Sequence, residues 1–289
     1  MPELPEVQAL ADFLSARLVQ DEPRVVVSVQ LGSIAVLKTY DPPPDALAGL
    51  PVAGVRRVGK FIDLDCEGTH LVFHLAKAGW LRWSEALSEK PLRPGKSPIA
   101  LRVRFDDGSG FDLTEAGTRK SLAVYVVDDP QAVPRVASLG PDPLGEDFTL
   151  AAFTTILRSK RAQIKGVLRD QGLIAGIGNA YSDEILHVAK LSPFAMTTSL
   201  DEATVERLYE ALQETLRAAV GAASGKPAAE LKDAKRGGMR VHGRTGQECP
   251  VCGDVVREVS FADSSLQYCA TCQTGGKPLA DRRMSRLLK

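Results

Sequence analysis

The chain has 289 residues, enough for two domains each with its own core. Its composition, 44% hydrophobic and 25% charged, is that of an ordinary globular protein. No apolar run approaches the length of a membrane span, and the first residues lack the basic-then-apolar pattern of an export signal, so a cytoplasmic protein is expected. The 36 Lys and Arg balance 36 Asp and Glu, but distribution matters more than the sum. Cations gather at Arg158, Lys160, Arg161, Lys165 and Arg169, over residues 226–244, and at Arg282, Arg283, Arg286 and Lys289, while acids gather at 41–45, 106–107, 128–129 and 142–147. A one-sided basic surface is compatible with the neutral total.

Val7, Leu10, Ala11, Leu14 and Leu18 recur at helical spacing and predict an N-terminal amphipathic helix. Val- and Ile-rich runs at 24–30, 33–37, 52–58, 61–65, 70–75 and 99–105 predict strands. Asp106-Asp107-Gly108 signals a hairpin returning along 110–113, and 122–127 closes the series. This part reads as a β-sandwich or flattened barrel with one helix. Pro, Gly and acids mark 129–148 as a linker. Helical periodicity follows at 150–159, 164–168 and 179–187, then in a long helix ending near Ala222 that Ser199 and Glu202 start as a capping box. Residues 226–246 have loop composition. The expected plan is an α+β multidomain chain: a sandwich domain over 1–128, the linker 129–148, a helical domain over 149–240, a cysteine-bearing hairpin over 241–276 and a basic tail over 277–289.

The strongest motif by spacing is Cys249-Pro250-Val251-Cys252, followed after sixteen residues by Cys269-Ala270-Thr271-Cys272. Two such pairs supply the four thiolates of a tetrahedral structural zinc, one per chain, with no position left open for water. Residues 255–261 and 266–268 alternate like the strands of a hairpin between them. Disulfides are the other reading, disfavoured without an export signal. The lone Cys66 lies in an apolar alternation and is expected to be buried and inert.

The N-terminal string Met1-Pro2-Glu3-Leu4-Pro5-Glu6-Val7 carries a second signal. Once Met1 is removed, Pro2 presents a secondary amine, and an α-amino group is roughly one-tenth deprotonated at pH 7. Amines attack carbonyl-like carbons to form Schiff bases, and Glu3 is placed to move the accompanying proton. Proline followed by acids is also how an ordinary helix begins. In Gln171-Gly172-Leu173-Ile174-Ala175-Gly176-Ile177-Gly178-Asn179, two glycines permit a tight turn into a helix whose free N–H groups suit a phosphate; such a turn also simply joins packed helices. Lys60 after its turn and His74 on its strand read on their own as a surface lysine and a structural histidine.

Taken together, these stretches resemble the formamidopyrimidine-DNA glycosylases and their endonuclease VIII relatives across nearly the whole chain. The N-terminal proline, the β-domain, the helix-two-turn-helix and the zinc hairpin occur in that family's order. The resemblance implies base-excision repair of damaged double-stranded DNA by a monomeric glycosylase with abasic-site lyase activity, nucleoid-associated in a bacterium. Pro2, Glu3 and Lys60 match the family's catalytic positions. His74, Lys165 and Asn179 match positions that hold the DNA backbone, and Cys249, Cys252, Cys269 and Cys272 match the zinc ligands.

Three stretches depart from the family pattern. Lys77 stands where a methionine fills the space left by the flipped base. Glu115-Ala116-Gly117-Thr118-Arg119-Lys120 replaces a string bearing an Arg-Phe pair, with Arg119 a substitute only by a shifted register. The hairpin tip Ala262-Asp263-Ser264-Ser265 lacks an arginine, and Asp263 would repel phosphate. Two other readings therefore stand beside the first: a non-catalytic paralogue binding abasic or distorted DNA, and a glycosylase for bulky, crosslinked or single-stranded lesions.

Overall fold

In the computed structural model, which describes residues 1–20, 22–93, 98–116, 120–262 and 264–280, the apolar stripe of the first helix is buried along its length. Helix α1 (Leu4–Leu18) hides Leu4, Val7, Leu10, Leu14 and Leu18, each at 1% exposure or less. Its start is fixed by Glu3, whose extended backbone donates its N–H to Glu6 Oε2 at 2.9 Å, and by Pro5, which costs no helical hydrogen bond there.

The chain divides into two units, residues 1–139 with 223–232, and residues 140–222 with 233 onward. The first unit pairs α1 with two antiparallel four-stranded sheets. Strands β1 (Val26–Leu31), β2 (Gly54–Val58), β3 (Phe61–Cys66), β4 (Thr69–His74), β5 (Gly79–Ser84), β6 (Ile99–Phe105), β7 (Gly110–Glu115) and β8 (Ala123–Val127) assort as β1-β6-β7-β5 and β2-β3-β4-β8. Alternation explains the layers. Ile62, Leu64, Cys66, Leu71 and Phe73 face the shared core with Leu101, Val103, Phe105 and Phe111. The opposite face of the second sheet bears Phe61, Asp63, His70, Val72 and His74, partly covered by Val133 and by Val136 of the α2 helix (Pro134–Ala137) that follows it. There Asp63, fully buried, is paired by Arg56 at 2.8 Å and His70 at 2.8 Å, which is what a buried carboxylate requires. Cys66 lies in the core as expected, its thiol pushed up to about 12 by burial and then by Asp65 and Asp63.

Helices α3 (Leu150–Ser159), α4 (Ile164–Arg169), α5 (Asn179–Val188) and α6 (Glu202–Ala223) build the second unit, with α7 (Leu231–Gly238) crossing into it and a hairpin of β9 (Val256–Ser260) and β10 (Ser265–Cys269) leading into α8 (Ala270–Thr274). Val205, Leu208, Leu212 and Leu216 form the buried stripe of α6. Residues 223–232 return to the first unit, where Ala223, Ala228 and Leu231 join the sandwich core and Ala228 O accepts Trp80 Nε1 at 3.0 Å.

Four expectations are corrected. Residues 33–37 are not a strand: Ile34–Val36 is a 3₁₀ turn, because Gly32 and Ser33 both donate to Ala100 O and peel the chain away, leaving Ile34 68% exposed. Strand β5 lies outside the runs that composition marks as strands, although Trp80, Leu81 and Trp83 lie along it. Helix α6 is capped by Asp201, whose Oδ1 accepts Thr204 N at 2.9 Å, while Ser199 lies in a preceding 3₁₀ turn. Finally, α7 falls within the stretch read as loop; Leu231 is its sole buried residue, too little for periodicity to register.

The turn between β4 and β5 carries the chain from one sheet to the other in four residues, closed by Gly79 N–H donating to Leu75 O at 2.9 Å. A Cβ on Gly79 would stand 2.1 Å from that oxygen. Gly79→Ala is expected to cost about 1–3 kcal/mol, as overpacking does, read as a lower urea midpoint at unchanged slope.

Candidate functional site

In the first unit the side chain of Arg57 ties the N-terminal helix to the Lys60 hairpin. Val58 pairs with Phe61, so Gly59 and Lys60 form a two-residue turn, and Gly59 leads it at φ 59°, as a type II′ hairpin requires. Arg57, on β2, donates from Nε to Gln8 Oε1 of α1 at 2.7 Å and from Nη1 to Gly59 O at 3.3 Å. One guanidinium thus fixes both the helix that begins at Glu3 and the turn that presents Lys60. Pro2 is buried, and Glu3 and Lys60 are 2% and 7% exposed.

His74 is brought beside this hairpin by the β3–β4 register, opposite Phe61, and its ring lies 4.8 Å from that of Phe61. Nδ1 accepts the Ala76 N–H at 3.1 Å, which places the ring proton on Nε2. Burial, then the charges of Lys60 and Arg135, hold its pKa down to about 4, so at neutral pH it is an uncharged donor. Arg135 was not singled out from the sequence; it lies in the stretch read as linker, and no local motif marks it. Lys77 is exposed on the turn at 75–78, where Ala76 adopts φ 52°. Ala116 N–H donates to Ala78 O, which ties the residue after β7 to that turn. Arg119 itself, Asp263 and the basic tail from 281 lie outside the described residues. Glu115 Oε1 accepts Ser121 N at 2.7 Å and Leu122 N at 3.0 Å.

In the second unit, Gln171 builds the glycine turn: Oε1 accepts Gly176 N at 3.0 Å and Nε2 donates to Ile177 O at 2.7 Å. Gly176 at φ 87° supplies a backbone conformation other residues avoid. The turn delivers Asn179 as the first residue of α5, where Nδ2 donates to Ser265 O of β10 at 2.7 Å. Lys165 is 5% exposed, and its ammonium meets Asp183 Oδ1 at 2.6 Å, Ser182 Oγ at 2.7 Å and Asn179 O at 3.1 Å. Three acceptors match the three hydrogens an ammonium carries, so Lys165 and Asn179 are parts of one structure around the start of α5.

The next acids on that helix, Asp183 and Glu184, draw their partners from distant segments. Asp183 Oδ2 meets His242 Nδ1 at 2.8 Å, and Glu184 accepts the backbone N–H groups of Arg240, Val241 and His242 at 2.7–3.0 Å. Burial raises the Glu184 pKa against these three donors, with Asp183 adding to the rise. Both acids follow the glycine turn directly in sequence, but nothing local names partners that lie 56 to 59 positions away.

All four Sγ atoms of Cys249, Cys252, Cys269 and Cys272 lie within 4.8 Å of one another, with Cys252 and Cys269 at 3.4 Å and Cys249 and Cys272 at 3.9 Å. A zinc–sulfur distance of about 2.3 Å implies tetrahedral edges of about 3.8 Å, so the cluster has the right size. Burial chiefly pushes Cys269 up to about 11, and burial together with the neighbouring sulfurs pushes Cys272 up further. Four thiolates can share this volume only around a cation, and the donor set fits zinc.

The depressed His74 pKa has a linkage consequence. The unfolded ring titrates near 6.5 and the folded one near 4, so the unfolded state binds more protons in between, and stability present above pH 6.5 is lost as pH falls towards 4. Ring resonances should show a His74 midpoint near 4, and His74→Gln should flatten the fall of the urea midpoint across that window. Removal of the metal by a strong chelator should reduce the ordered β9–β10 hairpin, read as lost amide protection over residues 249–272.

Comparison with known proteins agrees with these parts. Residues 1–124 match the formamidopyrimidine-DNA glycosylase N-terminal domain, 139–228 the H2TH domain of the same enzymes, and 246–275 the zinc finger found in FPG and IleRS. The chain is 59% identical over 156 residues to an uncharacterized formamidopyrimidine-DNA glycosylase-like protein of Mycobacterium tuberculosis, covering 54% of this chain and 98% of that protein. It is 30% identical over 284 residues to the formamidopyrimidine-DNA glycosylase of Desulfitobacterium hafniense, covering 94% of this chain and all of that one. The structure of the Lactococcus lactis Fpg bound to abasic-site DNA superposes at TM-score 0.81 and 26% identity over 94% of this chain and 99% of that one. From the sandwich, the glycine turn, the cysteine cluster and these matches together, the chain belongs to the formamidopyrimidine-DNA glycosylase family.

Proposed function

We infer that this family member excises damaged bases from double-stranded DNA and cleaves the resulting abasic site. The observation that carries the reading is the Arg57 bridge, which fixes the helix starting at Glu3 and the Lys60 turn to one guanidinium. A base must leave the stack before chemistry can reach its sugar. With Met1 removed, the Pro2 nitrogen attacks C1′; the C1′–base bond breaks and the base leaves with the bonding pair, taking up the proton that the Pro2 nitrogen gives up. Glu3 supplies a proton to the sugar ring oxygen as the ring opens, giving an iminium between Pro2 and C1′. The iminium withdraws electrons from C2′, whose proton is lost as the C3′–O bond breaks, and the 3′ phosphate is the leaving group. Water then releases Pro2.

Lys60 and the neutral His74 hold phosphates beside the reacting sugar, His74 through its Nε2 proton. Asn179 presents the second hydrogen of its amide to the backbone, and Lys165 keeps the α5 start in place through Asn179 O. The zinc is structural and supplies no chemistry. The contacts to phosphate give affinity without sequence choice. The exposed Lys77 favours a second reading for substrate range, lesions such as bulky adducts, crosslinks or single-stranded damage that need no apolar side chain in the vacated stack.

Borohydride reduction on an abasic-site duplex should trap a covalent complex with protein whose intact mass shows Pro2 as first residue. Pro2→Gly should lose the trapped product. Glu3→Gln should slow base release about 10²-fold or more, the usual worth of a placed acid–base group. Absence of trapping by correctly processed protein that still binds the duplex would make it a non-catalytic binder. A lesion panel in duplex and single strand then separates the two substrate readings.

A further inference from the structure

Near the C-terminal end of α5, His187 Nε2 stands 3.3 Å from Cys249 Sγ, and both residues are 2% exposed. A zinc ion with four thiolates carries a formal charge of −2, and charge in a buried site is costly unless hydrogen bonds meet it. Two such bonds come from the cysteine loops themselves, the Asp254 N–H to Cys252 and the Cys272 N–H to Cys269. Cys249, the most buried sulfur with Cys269, has instead a side chain from another element. We propose that His187 is an outer-sphere positioning residue for the metal, donating Nε2–H to the Cys249 thiolate and thereby holding zinc in the finger and the finger on α5.

The ring nitrogens support this direction of donation. Nδ1 is buried with no hydrogen-bond partner among the described residues, so the sulfur alone selects which nitrogen carries the proton. Helix α5 then grips the hairpin at both ends, through Asn179 to Ser265 O and through His187 to Cys249. The inference rests on the zinc reading of the four cysteines but not on the DNA chemistry.

The test compares the full-length wild type with His187→Phe, which keeps a ring and removes the donor, and His187→Gln, which keeps an N–H. Elemental analysis first establishes zinc in the wild type. The Phe variant should release zinc to a chromogenic chelator about 10–100-fold faster, the range expected for lost outer-shell partners. The Gln variant should recover part of that retention. In cobalt-substituted protein the sulfur-to-cobalt charge-transfer band should move to lower energy in the Phe variant, because an unbonded thiolate is the better donor, and return towards the wild type in Gln. Equal release and an unmoved band in the Phe variant would overturn the proposal, as would equal loss in Phe and Gln, which marks packing alone. A zinc-free wild type would remove the metal reading itself and the proposal with it.

Discussion

Two adjacent carboxylates on one helix, Asp183 and Glu184, organise the second unit. Both are essentially excluded from water, at 1% and 3% exposure, and a buried carboxylate without partners costs several kcal/mol. The chain meets that demand by bringing them everything polar nearby: Lys165 from α4, the His242 ring, and three successive backbone N–H groups from residues 240–242. The segment entering the cysteine hairpin therefore has one route past α5. Lys165, held by Asp183, in turn accepts its place under Asn179 O, so the residue opening the helix is set by charges one turn further along. Removing either acid leaves a cation or a row of N–H groups stranded, which is why the arrangement behaves as a unit.

The first unit solves a comparable problem with fewer charges. Two of its candidate residues, Lys60 and Lys77, sit on turns, which are ordinarily the least constrained parts of a sheet. Here each turn is short and stereochemically committed: Gly59 at positive φ before Lys60, and the Leu75 O to Gly79 N closure around Lys77. The Arg57 guanidinium adds a tie from β2 to α1, and the β3–β4 register sets His74 opposite Phe61. Precision comes from the sheet and is delivered to the turns by one or two hydrogen bonds each.

Legibility in the sequence followed the physics of each signal. The α1 stripe, the strands of β2 to β4 and β6 to β8, and the cysteine pairs rest on periodicity or fixed ligand spacing, and they appear where those rules place them. What stayed hidden depends on contacts between distant residues. Residues 33–37 have strand composition, but Ala100 O captures two consecutive N–H groups just after β1 and turns the chain away from the sheet. Helix α7 has a single apolar anchor. His187 and His242 look like incidental polar residues until the fold sets them against Cys249 and Asp183, 62 and 59 positions away in sequence. Local chemistry is written locally; pairing partners are not.

The exposed lysine at 77 bears most directly on what such a site accepts. An apolar side chain entering a stack replaces the surface of the lost base and gains free energy from leaving water. A lysine gains only along its methylene stem, because the ammonium must stay solvated or paired. On the proposed reading it therefore reaches across the gap towards a phosphate or water and leaves the vacated space unfilled. That geometry penalises a small base in an otherwise intact duplex, where the empty step costs stacking, and penalises least the lesions that already open the helix. Selectivity would then arise from the cost of unstacking, with the Pro2 chemistry common to every substrate.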